Sequence, residues 1–260
     1  PISNNLPIPG CATLSNDRTL LKGIYERPDM NDVPSPYLDG TLDAFIGANY
    51  EPLIQTMCGC PYACTFCVSG TSNWSKLRVF SPDQVIAEFE YIKANSTNKY
   101  LVLCDENFGI LKERDVAFAK HIRKSFDESN FPQHFYTYTA KIVTEHVLEI
   151  AALLSPLMKL DISYQTLNDQ VIKNIQRTNM KFDRFLKTLS WARKNGVTTA
   201  TEMIFGFPDE TLDSYLNGIE TLMRAGVDRI QSYNLKLLSG IDMSTQKARI
   251  QQEYKIMYRQ

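Results

Sequence analysis

Short apolar runs alternate with amphipathic stretches along most of the chain. Residues 52–56, 100–104, 135–140, 158–162, 197–205 and 227–235 each read as a strand. The run at 100–104 is apolar enough to be buried on both faces, and 135–140 is rich in aromatic residues and threonine. The intervening segments carry helical signals. Ser81 is an N-cap, Pro82 suits the first turn and Gln84 completes a capping box. Val116, Phe118, Ala119, Ile122 and Phe126 recur at helical spacing. Thr144 is placed to cap a helix carrying Val147, Leu148, Ala151 and Leu154. Helical segments from Asn168 end at Lys194-Asn195-Gly196, and Thr211 opens a last helix that closes near Gly226.

Strands that alternate with helices are joined by right-handed crossovers and lie parallel. Six such repeats predict an α/β fold, either a partial (β/α)6 TIM-like barrel or a doubly wound sheet. The absence of a G-x-G-x-x-G turn after the first strand weighs against a dinucleotide-binding sheet. Seven of the 12 prolines fall in the first 52 residues, so residues 1–49 read as a Pro-rich connector or N-terminal extension. Tyr37, Leu38, Leu42, Phe45 and Ile46 are positioned to pack part of it onto the core. Residues 50–240 form the core barrel, and 241–260 a C-terminal helical extension. The chain starts without Met and stops inside a helical pattern, as expected of a piece cut from a longer protein.

Composition narrows the function. With 28 basic and 29 acidic residues the net charge is -1, which is unlike the basic footprint of a duplex-binding protein, so no nucleic-acid partner is expected. No apolar run approaches the length of a membrane span, and the N-terminus has no secretory leader. Four of the six cysteines lie within ten residues. Such clustering without a leader points to metal in a reducing, cytoplasmic compartment rather than to disulfides.

The cluster reads Met57-Cys58-Gly59-Cys60-Pro61-Tyr62-Ala63-Cys64-Thr65-Phe66-Cys67. Cys60, Cys64 and Cys67 form a C-x3-C-x2-C array, short enough for one loop to wrap an iron–sulfur cubane and leave one iron open. A zinc site that also uses Cys58 is the competing reading, although Cys58-x-Cys60 is an unusual zinc spacing. Cys11 and Cys104 read as small buried hydrophobes. The array, with Phe66 as its aromatic residue, resembles the signature of the radical S-adenosylmethionine (SAM) superfamily. That resemblance implies a [4Fe-4S] cluster held by Cys60, Cys64 and Cys67, with SAM on the open iron. It further implies reductive cleavage of SAM to methionine and a 5'-deoxyadenosyl radical that abstracts hydrogen from a substrate.

The resemblance extends over residues 50–240 and supplies further site expectations. In Cys104-Asp105-Glu106-Asn107-Phe108, Glu106 stands where relatives contact the SAM amino group, with Asp105 and Asn107 as alternatives. Ser163 and Gln165 fall at the ribose position, and Arg177 at that of the arginine near the SAM carboxylate. The adenine segment corresponds to Glu202–Thr211, with Ile204 and Gly206 as contacts and Asp209 in place of the usual glycine. Tyr233 ends the sixth strand near the same site. Gly-Cys-Pro-Tyr, Asp-Glu-Asn-Phe-Gly and Phe-Pro-Asp-Glu-Thr resemble the branch that carries an N-terminal cobalamin domain, although Cys58-Gly59 replaces its usual Arg-Gly. That branch implies a methyltransferase or cyclase acting on a small molecule or a sugar or lipid precursor. A reductant such as flavodoxin or ferredoxin would feed it, and cobalamin would bind in a domain outside this chain. A single-cluster enzyme of methylthiotransferase or mutase type and a non-catalytic iron–sulfur or zinc protein are the other readings. The three histidines read as structural.

Overall fold

The computed structural model describes residues 11–15, 17–23, 29–47, 49–246 and 252–254. The first prolines and residues 255–260 of the expected terminal helix lie outside them. The Pro-rich stretch holds more regular structure than its composition predicts: β1 (Ala12–Leu14) and β2 (Leu20–Lys22) pair as an antiparallel hairpin. Further along, Tyr37 is buried, and its hydroxyl donates to the Leu53 carbonyl at 2.8 Å and accepts from the Leu53 N–H at 3.0 Å. Leu42 and Ile46 pack on the core, whereas Leu38 and Phe45 stay exposed.

Beyond β3 (Leu53–Ile54), a two-residue antiparallel pair, β4 (Met57–Cys58) with β5 (Arg78–Val79), brackets the cysteine loop. The alternation then proceeds as α1 (Pro82–Asn95), β6 (Tyr100–Leu103), α2 (Lys112–Ser129), β7 (His134–Tyr136), α3 (Glu145–Leu153) and β8 (Leu160–Asp161). It continues with α4 (Asp169–Asn174), α5 (Phe182–Lys194), β9 (Thr199–Phe205), α6 (Leu212–Ala225), β10 (Arg229–Asn234) and α7 (Asp242–Thr245). Two parallel three-stranded sheets result, ordered β3-β6-β7 and β8-β9-β10. They meet where the Phe135 N–H donates to the Leu157 carbonyl at 3.0 Å and the Thr139 hydroxyl donates to the Asp161 carbonyl. The fold is α/β with the six parallel strands of a partial (β/α)6 barrel.

Strand alternation sorts each side chain to one of two faces. Leu101, Leu103 and Phe135 point outward into a core shared with Phe89 and Ile92 of α1 and Ile122 of α2. Leu160, Ile162 and Met203 do the same against Phe185 and Leu189 of α5 and Leu222 of α6. Each such apolar side chain contributes about 1.5–3 kcal/mol on burial. The inward face is left polar and open: Tyr100 is 45% and Tyr136 53% exposed. Cys104 shares that inward side and is exposed, as is Cys11, so neither is the buried hydrophobe expected of a free cysteine.

The caps hold in part. Ser81 Oγ accepts from the Gln84 N–H at 3.1 Å, but the Gln84 amide turns to Val33 and Glu88, and the Ser81 N–H is met by Asn31 Oδ1 at 3.0 Å. The capping box is therefore half made, its other half supplied by the N-terminal segment. Thr144 makes no cap bond because its hydroxyl is engaged by the His146 ring. Thr211 accepts from the Ser214 N–H at 3.1 Å, as its position predicts.

Candidate active site

The cysteine loop is held at several points by backbone. The Cys60 N–H donates to the Trp74 carbonyl at 2.8 Å, Thr65 N–H to Ile175 at 3.2 Å and Cys67 N–H to Cys64 at 3.1 Å; the Thr65 carbonyl accepts from Met243 N–H at 3.1 Å. Gly59, at φ +104°, and Gly70 permit the close approach: a Cβ on Gly59 would lie 2.4 Å from the Lys76 carbonyl oxygen, and one on Gly70 2.3 Å from that of Cys64. The second glycine carries no sequence signal beyond its nearness to the loop.

The loop opens on a cavity of about 210 Å³ at the C-terminal ends of the strands, where sites in βα folds are built. Cys60, Cys64 and Cys67 line it together with Phe66, Glu106, Ser163, Gln165 and Arg177. Ile204, Gly206 and Tyr233 lie outside the lining. Ile204 packs, as Phe66 does, against the buried cluster that includes Phe207; Gly206 takes φ +102°, and Tyr233 is 38% exposed on β10.

Of the three acceptors expected after β6, each has a different task. Asp105 is fully buried and binds the N–H groups of Thr56 at 2.8 Å and Met57 at 3.0 Å, the Thr56 hydroxyl and Arg114. It ties the loop after β6 to the approach of the cysteine loop and does not face the cavity. Glu106 accepts from the Ser69 hydroxyl at 3.0 Å through Oε1, while its Oε2 is buried without a partner among the described residues. Asn107 donates through Nδ2 to Cys60 Sγ at 3.2 Å.

Arg177 sits in the break between α4 and α5, just after Gln176 at φ +50°. Its guanidinium reaches Asn179 Oδ1 at 2.7 Å, the Ser163 carbonyl, and Cys64 Sγ at 3.8 Å. Burial works against its charge and Cys64 beside it works for it, and a guanidinium stays protonated. Lys141, unmarked in the sequence, places Nζ 4.4 Å over the Tyr62 ring and 4.0 Å from Cys64 Sγ. Burial, reinforced by Arg177, pulls its pKa down. Burial pushes the Cys60 thiol up, against the Tyr62 and Asn107 N–H bonds. At the cavity floor the Ser163 hydroxyl donates to Asp161 Oδ1 at 2.6 Å, and Glu202 lies beside it. Burial raises the Asp161 carboxyl to about 6, with Ser163 opposing and Glu202 adding to the shift. Neither carboxylate is among the expected contacts, although Glu202 opens the expected adenine segment; the pairing of β8 with β9 brings the two together.

A sequence profile of the radical SAM superfamily matches residues 54–222, from the first parallel strand almost to the end of α6. The chain belongs to the radical SAM superfamily. It is 31% identical over 228 residues to the cobalamin-dependent radical SAM methyltransferase TokK of Streptomyces tokunonensis, covering 84% of this chain and 33% of TokK. It is 29% identical over 228 residues to 2-(S-pantetheinyl)-carbapenam-3-carboxylate methyltransferase of Streptantibioticus cattleyicolor, with the same coverage of 84% and 33%. The chain thus spans about a third of the length of these relatives. Among solved structures, the radical SAM methyltransferase TsrM from Kitasatospora setae, with cobalamin and a [4Fe-4S] cluster bound, superposes with a TM-score of 0.63 at 15% identity. That match covers 76% of this chain and 37% of TsrM. The cobalamin-dependent SAM radical enzyme OxsB gives 0.59 at 16% identity, covering 94% of this chain and 36% of OxsB. At these identities the structural likeness speaks for the fold.

Membership of the superfamily implies a [4Fe-4S] cluster and SAM, and the cavity fits both. Three thiols from one loop face it, and two buried acceptors in its lining, Glu106 Oε2 and Gln165 Oε1, stand without partners among the described residues. Unmet buried acceptors are costly until a ligand brings donors. The cavity is also polarised, with Arg177 and Lys141 beside Cys64 and the Glu106 carboxylate elsewhere in its lining. That pattern suits a zwitterionic amino-acid group. Asp209, in place of the family's glycine, takes the left-handed φ of +67° that glycine would supply, and Asn174 holds its carboxylate at 2.8 Å. The turn therefore survives the substitution.

Proposed function

We propose that this chain is the catalytic core of a cobalamin-associated radical SAM methyltransferase acting on a small molecule. The observation that carries the proposal is the convergence of three thiols, two cations and an orphaned carboxylate oxygen on one cavity at the strand ends. Cys60, Cys64 and Cys67 hold the cluster, and Asn107 donates to the first of these sulfurs. Arg177 takes the SAM carboxylate, the free oxygen of Glu106 takes its ammonium, and Ser163 and Gln165 meet the ribose. Bound there and reduced, a [4Fe-4S] cluster would supply the electron for reductive cleavage of SAM to methionine and a 5'-deoxyadenosyl radical, and cobalamin held outside this chain would carry the methyl group. Phe66 and Tyr62 wall the cavity and exclude water.

Relatives named as methyltransferases share 31% and 29% identity, against 23% for a tRNA-2-methylthio-N(6)-dimethylallyladenosine synthase of Fusobacterium nucleatum. This favours the methyltransferase over the methylthiotransferase reading. Electrons come from a flavodoxin- or ferredoxin-type donor, and the protein works in the cytoplasm. No helix among the described residues is long and apolar enough to cross a membrane. The test is anaerobic reconstitution with iron and sulfide, then dithionite and SAM. Release of 5'-deoxyadenosine and methionine, abolished by Cys60→Ala, is the expected result. Turnover by Cys60→Ala, or a zinc-loaded protein without turnover, overturns the proposal.

A further inference from the structure

Below the cofactor cavity, toward the N-terminal ends of the strands, lies a second cavity of about 210 Å³. Asp161 and Glu202 line both cavities, so the two are neighbours across this carboxylate pair. The remaining wall has a different character. Lys159 and Arg229 are exposed, and neither forms an ion pair among the described residues. Tyr100 and His134 stack beside them, ring centroids 4.3 Å apart and 21° from parallel. Thr137, also in the wall, is 6% exposed and keeps a buried hydroxyl with no hydrogen-bond partner among the described residues.

The charges are ordered along the strand. Lys159 and Asp161 share the inward side, two residues apart, which at strand geometry is roughly 6–7 Å. Arg229 pairs in register with Ala200, which in turn pairs with Asp161, so Arg229 lies across the sheet from that carboxylate; Glu202 pairs with Gln231, two residues further along. In register Lys159 comes first, Arg229 and Asp161 stand level two strands apart, and Glu202 lies deepest, so the N-terminal end of the cavity carries only a cation and its inner end only a carboxylate. An anion alone would press against Asp161 and Glu202, and a cation alone against Lys159 and Arg229. A molecule carrying both charges, anion outward and amine inward, satisfies both ends, and its inner end lies beside the cofactor cavity.

We propose that this second cavity binds a zwitterionic small molecule, an amino-carboxylate whose opposite charges stand several ångströms apart, with Lys159 and Arg229 receiving the anion and Asp161 and Glu202 the amine. The ligand's use as the substrate of hydrogen abstraction rests on the radical SAM reading, but its binding does not.

The probes are 5-aminopentanoate, pentanoate and pentylamine, which share one chain length and differ only in charge. Each is titrated calorimetrically at pH 7.5 into the reconstituted protein without SAM. The expected result is that 5-aminopentanoate binds about tenfold more tightly than either singly charged probe, and that Lys159→Gln/Arg229→Gln weakens it about tenfold. These side chains are exposed, so the variants keep the fold. Lys159→Glu/Arg229→Glu shifts the preference to pentylamine. Equal binding of the three probes, no binding, or unchanged binding in both double variants overturns the proposal. SAM cleavage is measured separately on the same preparation. Probe binding without cleavage counts against the radical reading alone, and cleavage without probe binding counts against this site alone.

Discussion

Asp161→Asn isolates the cost of a carboxylate held at the floor of the cofactor cavity. Burial lifts this carboxyl from its ordinary 3.8 to about 6. The folded state therefore holds the proton more tightly than the unfolded chain does. It follows that the Asp161 contribution to stability falls as pH rises from about 4 to about 6 and stays level above. A displacement of about two pH units corresponds to roughly 3 kcal/mol at 1.36 kcal/mol per unit. Asparagine keeps an oxygen for the Ser163 hydroxyl, bonded at 2.6 Å in the native chain, and removes the buried charge. The cofactor-free variant should gain about 1–3 kcal/mol at pH 7.5, which at roughly 2–4 °C per kcal/mol is readily seen in thermal melts. At pH 4, where the native carboxyl is largely protonated in the folded state, the gain should vanish. Urea titrations at the two pH values test this directly. An equal effect at both pH values, or a loss at pH 7.5, would refute the burial argument. A stabilised variant that is less active would fit a carboxylate retained for function at a cost in stability.

Other outcomes follow from the same geometry. Gly70→Ala places a Cβ 2.3 Å from the Cys64 carbonyl oxygen and 2.9 Å from its nitrogen; backbone cannot yield as a side chain can, so bound iron per chain should fall several-fold while far-UV circular dichroism is unchanged. Arg177→Lys loses the fork that joins Asn179 and the Ser163 carbonyl, and should weaken SAM binding about tenfold or more at constant iron content, read by titration of the cluster spectrum. Asp228 accepts from the Thr199 N–H at 2.8 Å and hydroxyl at 2.7 Å, and these bonds, the hydroxyl first, hold its carboxyl below the ordinary range. Asp228→Ala should cost about 1 kcal/mol at pH 7 in urea denaturation, the native advantage being complete above about pH 4 and fading as pH falls further.

The six parallel strands were legible because each is a short apolar or alternating run with one face in the core, as at Leu101, Leu103, Leu160 and Met203. The cysteine loop was legible from spacing alone. The β4–β5 pair was not, because two residues on each side leave no period to detect. Cys104 is exposed because alternation after Leu101 and Leu103 turns it inward, a consequence of register that residue type does not carry. Lys141, Asp161 and Glu202 were missed for a related reason. They come from three different strand regions, and only barrel curvature brings them to one cavity. Gln84 shows how a local rule yields to tertiary structure: its amide bonds Val33 and Glu88 instead of closing the capping box.

The most direct measurement is electron paramagnetic resonance of the dithionite-reduced, anaerobically reconstituted protein before and after addition of SAM. A [4Fe-4S] cluster held by Cys60, Cys64 and Cys67 alone would leave its fourth iron without a protein ligand and open to SAM, so the g-values of a [4Fe-4S]+ signal should shift on addition. A signal that stays the same with saturating SAM, or a preparation that takes up zinc and shows no such signal, would contradict the account.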